Sequence, residues 1–216
     1  MNGPIFPYPA TLDGYQNLFG GCSVGEKVRL QTGNLVRQMN LIRVSTIGPA
    51  LSFELTYNSQ SASENHGFGH GWVHDWQAKI TPSATNPVYT DQTGRPFTFE
   101  LDGSDWVLDL ANSMFDQIEL TSLPGDEWRI SYYPDGEILD FDSDGRLIRR
   151  VHRRGNGVAL AYNLGGQLIE IQEDVIGVSS GRKIQLTYGS DTITVTDPES
   201  HDYVLVFSST NDNLVQ

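Results

Sequence analysis

The stretch Phe141-Asp142-Ser143-Asp144-Gly145-Arg146-Leu147 returns 21 residues later as Tyr162-Asn163-Leu164-Gly165-Gly166-Gln167-Leu168. In each copy an aromatic residue closes one apolar segment, a polar, glycine-rich turn follows, and Leu opens the next segment, which describes a β-hairpin. One hairpin cannot bury its apolar face alone. Repetition at this period therefore predicts hairpins stacked side by side, each covering its neighbour. Weaker copies begin at Tyr188 and Phe207, and the longer spacing before Tyr188 leaves room for an extra loop over Val175–Gly181.

The remaining sequence has the same grain. Its 22 Gly and 10 Pro separate short segments rich in Val, Ile, Leu, Thr, Tyr and Phe, the rhythm of an all-β protein. Ile184, Leu186 and Tyr188 alternate with Gln185 and Thr187, and Thr192–Thr196 repeats the scheme. The stretch Val107–Leu120 is broken by Asn112-Ser113 and lacks a helix cap, so it reads as irregular. The part before the repeats shows no such period. The expected fold is therefore all-β: antiparallel β-hairpin repeats forming a curved sheet or partial shell, with an N-terminal β domain. Residues 1–20, with Pro4, Pro7 and Pro9, read as an extended leader, 21–124 as the N-terminal domain and 125–216 as the repeats, joined at Leu123-Pro124-Gly125. Leu214-Val215-Gln216 stands where another strand should begin, an edge that more chain or a separate subunit would complete.

Charge narrows the partners. Against 14 Lys and Arg stand 27 Asp and Glu, a net charge of −13, which argues against a phosphate-neutralising surface and hence against nucleic acid. The single cysteine, Cys22, excludes an internal disulfide framework and a cysteine-rich zinc site. No run approaches the roughly 18 apolar residues that a membrane helix requires, so membrane insertion is not expected.

At the repeat residues the chain resembles the Rhs/YD-repeat family, whose unit reads aromatic, Asp, two variable residues, Gly, Arg, Leu. Phe141, Asp142, Gly145, Arg146 and Leu147 match that unit, and Tyr162, Asn163, Gly166 and Leu168 form a degenerate copy. The region ahead is similar to the domain that precedes the repeats in bacterial Rhs proteins, through Thr32-Gly33-Asn34-Leu35, Tyr57-Asn58-Ser59, Gly67-Phe68-Gly69 and Gly71-Trp72, in that order. The resemblance covers roughly residues 28–170. It implies a long antiparallel sheet that spirals into a hollow shell, used by Rhs proteins, toxin-complex components and teneurins to enclose or display a C-terminal segment. It also implies a secreted or cell-surface setting. Only part of such a wall is present in these residues.

Four constellations carry competing chemistry. Asp140, Asp142, Asp144 and Gly145 imitate the opening of a calcium loop, but the position of its bidentate Glu falls on Val151. His66, His70 and His74 are spaced for one face of a helix, yet Gly67, Gly69 and Gly71 favour a turning backbone in which the imidazoles diverge. Gly21-Cys22-Ser23-Val24-Gly25 has the pattern of a nucleophile elbow without the helix that must follow it. Arg146, Arg149, Arg150, Arg153 and Arg154 place five of the 14 basic residues in nine positions. They are expected to pair with acids on the next hairpin, such as Glu170 and Glu173.

These readings point to a noncatalytic structural module with no cofactor and no metal, whose partners are protein: the rest of a longer Rhs-like chain or a separate subunit at the C-terminal sheet edge. The alternative is a surface carbohydrate-binding module in which Trp72 and Trp106 stack on sugar rings.

Overall fold

The computed structural model describes residues 23–24, 28–29, 33–108, 118–133, 135–208, 210 and 213–215. The expected leader, Gly21, Cys22 and Gly25 of the elbow pattern and the Asn112-Ser113 break lie outside the described residues. Among the described residues every regular element but one is a strand; the exception is a single helical turn at Ser59–Ser61, where the Asn58 side chain accepts the Gln60 N–H at 3.0 Å.

Two antiparallel sheets result. In the small one, β3 (Asn34–Val44), β4 (Leu51–Asn58) and β5 (Trp72–His74) form the body, and β1 (Ser23–Val24) and β2 (Val28–Arg29) pair in series onto β3. The large one has thirteen strands in chain order and does not close into a barrel. It begins with β6 (Lys79–Thr81), β7 (Val88–Thr90), β8 (Pro96–Asp102) and β9 (Asp105–Leu108). It continues through β10 (Ile118–Leu123), β11 (Glu127–Tyr132), β12 (Ile138–Phe141), β13 (Leu147–Val151) and β14 (Asn156–Tyr162). It ends with β15 (Leu168–Val175), β16 (Val178–Tyr188), β17 (Thr192–Thr196) and β18 (Asp202–Val206). The turn at Leu123-Pro124-Gly125 connects β10 to its paired neighbour β11, so the sheet runs through the expected join.

Period-two alternation selects the buried face. Leu51, Phe53 and Leu55 of β4 are fully buried, as are Ile171 of β15 and Ile184 of β16, all within one apolar core. Contacts of β4 with β15 and β16 lay the small sheet against the inner face of the large one. Each such side chain contributes about 1.5–3 kcal/mol. The large sheet also folds back on itself: the Ile80 N–H in β6 donates to the Gly145 carbonyl at 2.8 Å, and Lys79 bridges Arg146. Tyr89 of β7 thereby packs edge-on against Phe141 of β12, with centroids 5.8 Å apart.

The repeat turn is one device used several times. The Asp142 N–H donates to the Arg146 carbonyl and the Gly145 N–H to the Asp142 carbonyl, while Asp142 Oδ1 accepts the N–H groups of Asp144 and Arg146. Asn163 repeats every bond with Gly165, Gly166 and Gln167. Two further copies surround Asp91, with Thr93, Gly94 and Arg95, and Asp197, with Glu199, Ser200 and His201. The first lies ahead of the repeats, where no period is read: Asp91-Gln92-Thr93-Gly94-Arg95 has the Asp, Gly and Arg of Asp142–Arg146 at the same spacing. Tyr188 ends a strand as expected, but the turn after it closes through Gly189 and Thr192, a tighter form. Phe207 instead bridges Leu214. The extra loop expected over Val175–Gly181 does not exist. Strand pairing continues to Val175 and Val178, and Ile176-Gly177 alone make the turn, both with positive φ, because left-handed residues match the twist of a hairpin.

Candidate functional site

The motif residues converge on a cleft of about 940 Å³ between the small sheet, the Asp91 turn and the repeat turns. Its small-sheet wall starts at Asn34, whose Oδ1 accepts the Ser59 hydroxyl at 3.0 Å while Ser59 Oγ accepts the Leu35 N–H at 2.9 Å. That pair ties the first residues of β3 to the chain leaving β4. The loop through Gly67, Phe68, Gly69 and Gly71 then folds back. Gly67, Gly69 and Gly71 all have positive φ, as does Gly33, and a Cβ on Gly71 would sit 2.8 Å from the Tyr57 ring and 2.9 Å from the Asn58 carbonyl. Only glycine fits where that loop crosses the end of β4. Phe68 is buried against Phe53 and His74, and Trp72 packs on Tyr57 with centroids 5.4 Å apart.

The opposite wall is built from the repeats. Phe141 and Leu147 are buried, and Arg146 lies over the Tyr162 ring at 5.3 Å while pairing with Asp142 and Asp144. The Tyr162 hydroxyl donates to the Leu147 carbonyl at 2.8 Å, and the Tyr188 hydroxyl donates to the Leu168 carbonyl at 2.8 Å. Each repeat tyrosine thus fastens its hairpin to the Leu of the one before. Burial raises both phenols, Tyr188 to about 12, so they stay protonated donors. Tyr162→Phe and Tyr188→Phe are each expected to lower unfolding stability by about 1 kcal/mol, readable by urea denaturation. A loss near zero would mean the ladder contributes nothing.

Of the expected positions, Asn34, Asn58, Gly67, Phe68, Gly71, Arg146, Leu147, Tyr162, Gly166 and Leu168 line the cleft. Phe141 and Trp72 lie behind its walls, and Asn163 caps its own turn at the exposed rim. Gln77, Lys79, Gln92 and Arg95 also line it and were missed. The Asp-x-x-Gly-Arg spacing was the signal for Arg95, whose guanidinium lies 4.8 Å over Phe97 as Arg146 lies over Tyr162.

The competing constellations come apart. Asp140 is held by Arg129 at 2.6 Å and Asp142 and Asp144 by Arg146, so each carboxylate of the calcium-like run has a cation partner. His66 is exposed beside Glu64, His70 pairs with Asn65, and His74 stacks on Phe53. Among the described residues no three His, Cys, Asp or Glu side chains are grouped to hold a metal. Ser23 stands in β1, a two-residue strand. Trp106 packs at a tilt against Trp128, and its indole N–H donates to Ser122 at 3.0 Å.

The arginine cluster pairs with different acids than expected. Arg149 reaches Asp174 at 2.7 Å and Arg150 reaches Glu137 at 2.7 Å, whereas Glu170 pairs with Lys183 and Glu173 with Arg182. Register excludes Glu173: β14 lies between β13 and β15, and Arg149, Ala159 and Gln172 stand in line, so Glu170 and Asp174 are the diagonal acids; Glu170 is taken by Lys183 of β16, and Arg149 pairs with Asp174.

A second, smaller cleft of about 270 Å³ adjoins the first, sharing Val73 and His74 of β5 with it and lined also by Asp75. Asp75 accepts the Ser52 hydroxyl at 2.7 Å and the Glu54 N–H at 3.2 Å. Burial pushes its carboxyl up to about 7 against the pull of those bonds. His74 Nδ1 accepts the Trp76 N–H at 3.1 Å, and burial, with His66 nearby, pulls the imidazole down to about 4.

A family model described as a domain of unknown function, DUF6531, matches residues 25–99. The match covers β2–β5 of the small sheet and includes the Asp91 turn. No curated protein matches the chain in sequence.

Proposed function

We propose that this chain is a noncatalytic structural module, part of an Rhs-like β-shell or assembly scaffold that encloses or displays a protein segment. The observation that carries the reading is the shared cleft: residues of the small sheet and of the repeat turns face each other across it. Its polar lining supplies amide, hydroxyl and guanidinium groups, including Asn34, Gln77, Gln92 and Arg95, which suits the donors and acceptors of a polypeptide backbone. DUF6531 is often found in Rhs-type proteins, which supports the same reading. Stability comes from continuity, since each hairpin covers the next. Partners on this reading are protein, and they extend the sheet at β18.

Hydrogen exchange tests the reading. In the isolated chain, amides of β18 that face away from β17 are expected to exchange at least a hundred-fold faster than paired amides of β15 and β16. Full protection of β18 in a lone monomer would overturn the need for an extending partner.

A further inference from the structure

The topology places the turns after β11, β13, β15 and β17 along one rim of the large sheet. On this rim the β15–β16 turn carries Ile176 at φ 52 and Gly177 at φ 79. A two-residue turn with both residues left-handed ordinarily takes Asn-Gly, because a β-branched side chain is strained there. Packing does not compensate. Ile176 is 72% exposed, and the neighbour it approaches is Gly155, where a Cβ would lie 4.0 Å away.

Two more exposed apolar side chains stand beside this turn: Val178, which opens β16, and Ile47, in the β3–β4 connection of the small sheet. Val178 is 67% exposed and Ile47 75%. Ile47 is held beside the hairpin, because the Glu173 carboxylate accepts its N–H and Arg182, paired with Glu173 at 2.7 Å, donates to the Ser45 carbonyl. The next residue, Gly48, abuts Asn156, which pairs with Val175. The three side chains therefore project from fixed backbone, and grouped exposure of this kind marks an interaction surface where single exposures do not.

The charge beside them is equally local. Arg153 and Arg154 are exposed on the adjacent turn and form no ion pair among the described residues, in a chain of net charge −13. Arg129, Arg146, Arg149, Arg150 and Arg182 are all paired. We propose that this rim is a docking surface for a protein partner whose apolar contact face is flanked by carboxylates. The knob of Ile176, Val178 and Ile47 supplies the apolar contact, and the two arginines select the acidic flank.

The test uses a synthetic amphipathic helical peptide with Leu along one face and Glu along the other, and a matched peptide with Lys in place of Glu, titrated against the whole chain by amide NMR. The acidic peptide is expected to shift the amides of Arg154, Gly155, Gly177 and Val178 and to bind at least ten-fold tighter than the Lys peptide. Ile176→Asn should weaken it at least ten-fold while the melting temperature stays level or rises, since Asn relieves the strain. Arg153→Gln with Arg154→Gln should abolish the preference for Glu over Lys. Absence of shifts on the rim, equal binding of both peptides, or full binding by Ile176→Asn would overturn the proposal. So would a concentration-dependent dimer that Ile176→Asn disperses, since the occupant would then be a second copy.

Discussion

Gly145→Ala is expected to cost about 3–5 kcal/mol of unfolding stability, and Gly166→Ala only about 1–2 kcal/mol, although the two glycines occupy the same place in the same turn. Their φ angles are +78 and +79, so the conformational penalty is shared. What differs is the neighbour. A Cβ on Gly145 would overlap the Ile80 carbonyl oxygen, a backbone atom that cannot swing aside, whereas on Gly166 it would meet only the mobile Arg146 guanidinium at 3.5 Å. Relieving the overlap separates β6 from the repeat turn, breaking the Ile80 N–H bond to Gly145 and the Lys79–Arg146 bridge. Gly94→Ala supplies the third point: φ is +83 and nothing lies within 4 Å, so its loss should match that of Gly166→Ala. Urea denaturation of the three variants measures the ranking. Equal losses would mean that β6 does not rest on the Gly145 turn.

The second large effect is a pair of opposed pH slopes that cancel until one partner is removed. Unfolded, His74 takes up its proton near 6.5; folded, it does so near 4. Its contribution is therefore full above pH 6.5 and lost as the pH falls to 4. Asp75 runs the other way. Its carboxyl ionises near 3.8 when unfolded and near 7 when folded, so its contribution is full below pH 3.8 and lost as the pH rises to 7. Each slope is about 1.4 kcal/mol per pH unit. Between pH 4 and 6.5 they offset, and the stability curve from this pair is flat. Asp75→Asn leaves the histidine slope alone, so stability relative to the parent should fall by up to about 3 kcal/mol from pH 6.5 to pH 4. His74→Gln leaves the carboxyl slope alone, so its stability relative to the parent should fall by up to about 3 kcal/mol from pH 4 to pH 6.5 and run parallel to the parent above that. These are upper limits, because both side chains border the small cleft and keep some contact with water. Groups such as Glu173, Asp197 and His201 titrate alike in all three proteins, so the difference curves isolate the pair. Parallel curves for parent and both variants would show that neither group is shifted by burial.

The repeat turn was legible because all its bonds close within five residues: Asp142 or Asn163 accepts from backbone that follows it directly, and Gly145 or Gly166 takes the left-handed step. The same locality made the Asp91 copy readable in principle, though Asp197 was hidden by Ser200 standing where Gly is usual. Strand faces were equally readable, since Leu51, Phe53 and Leu55, or Ile184 and Leu186, need only alternation to declare themselves. The arginine partners were not. Arg149 finds Asp174 across an intervening strand, and that choice depends on register and on which side of the pleat each residue occupies.

From the residues alone came the all-β class, the hairpin unit, its turn and the side-by-side stacking of the repeat hairpins, because each follows from interactions between residues close in the chain. Tertiary structure alone decided that the sheet folds back until β6 touches the Gly145 turn, that the small sheet lies on its inner face, and that motifs over a hundred residues apart border one cleft. Those outcomes depend on how far the sheet twists and curls before its apolar faces meet. That geometry accumulates over thirteen strands and is set at no single position.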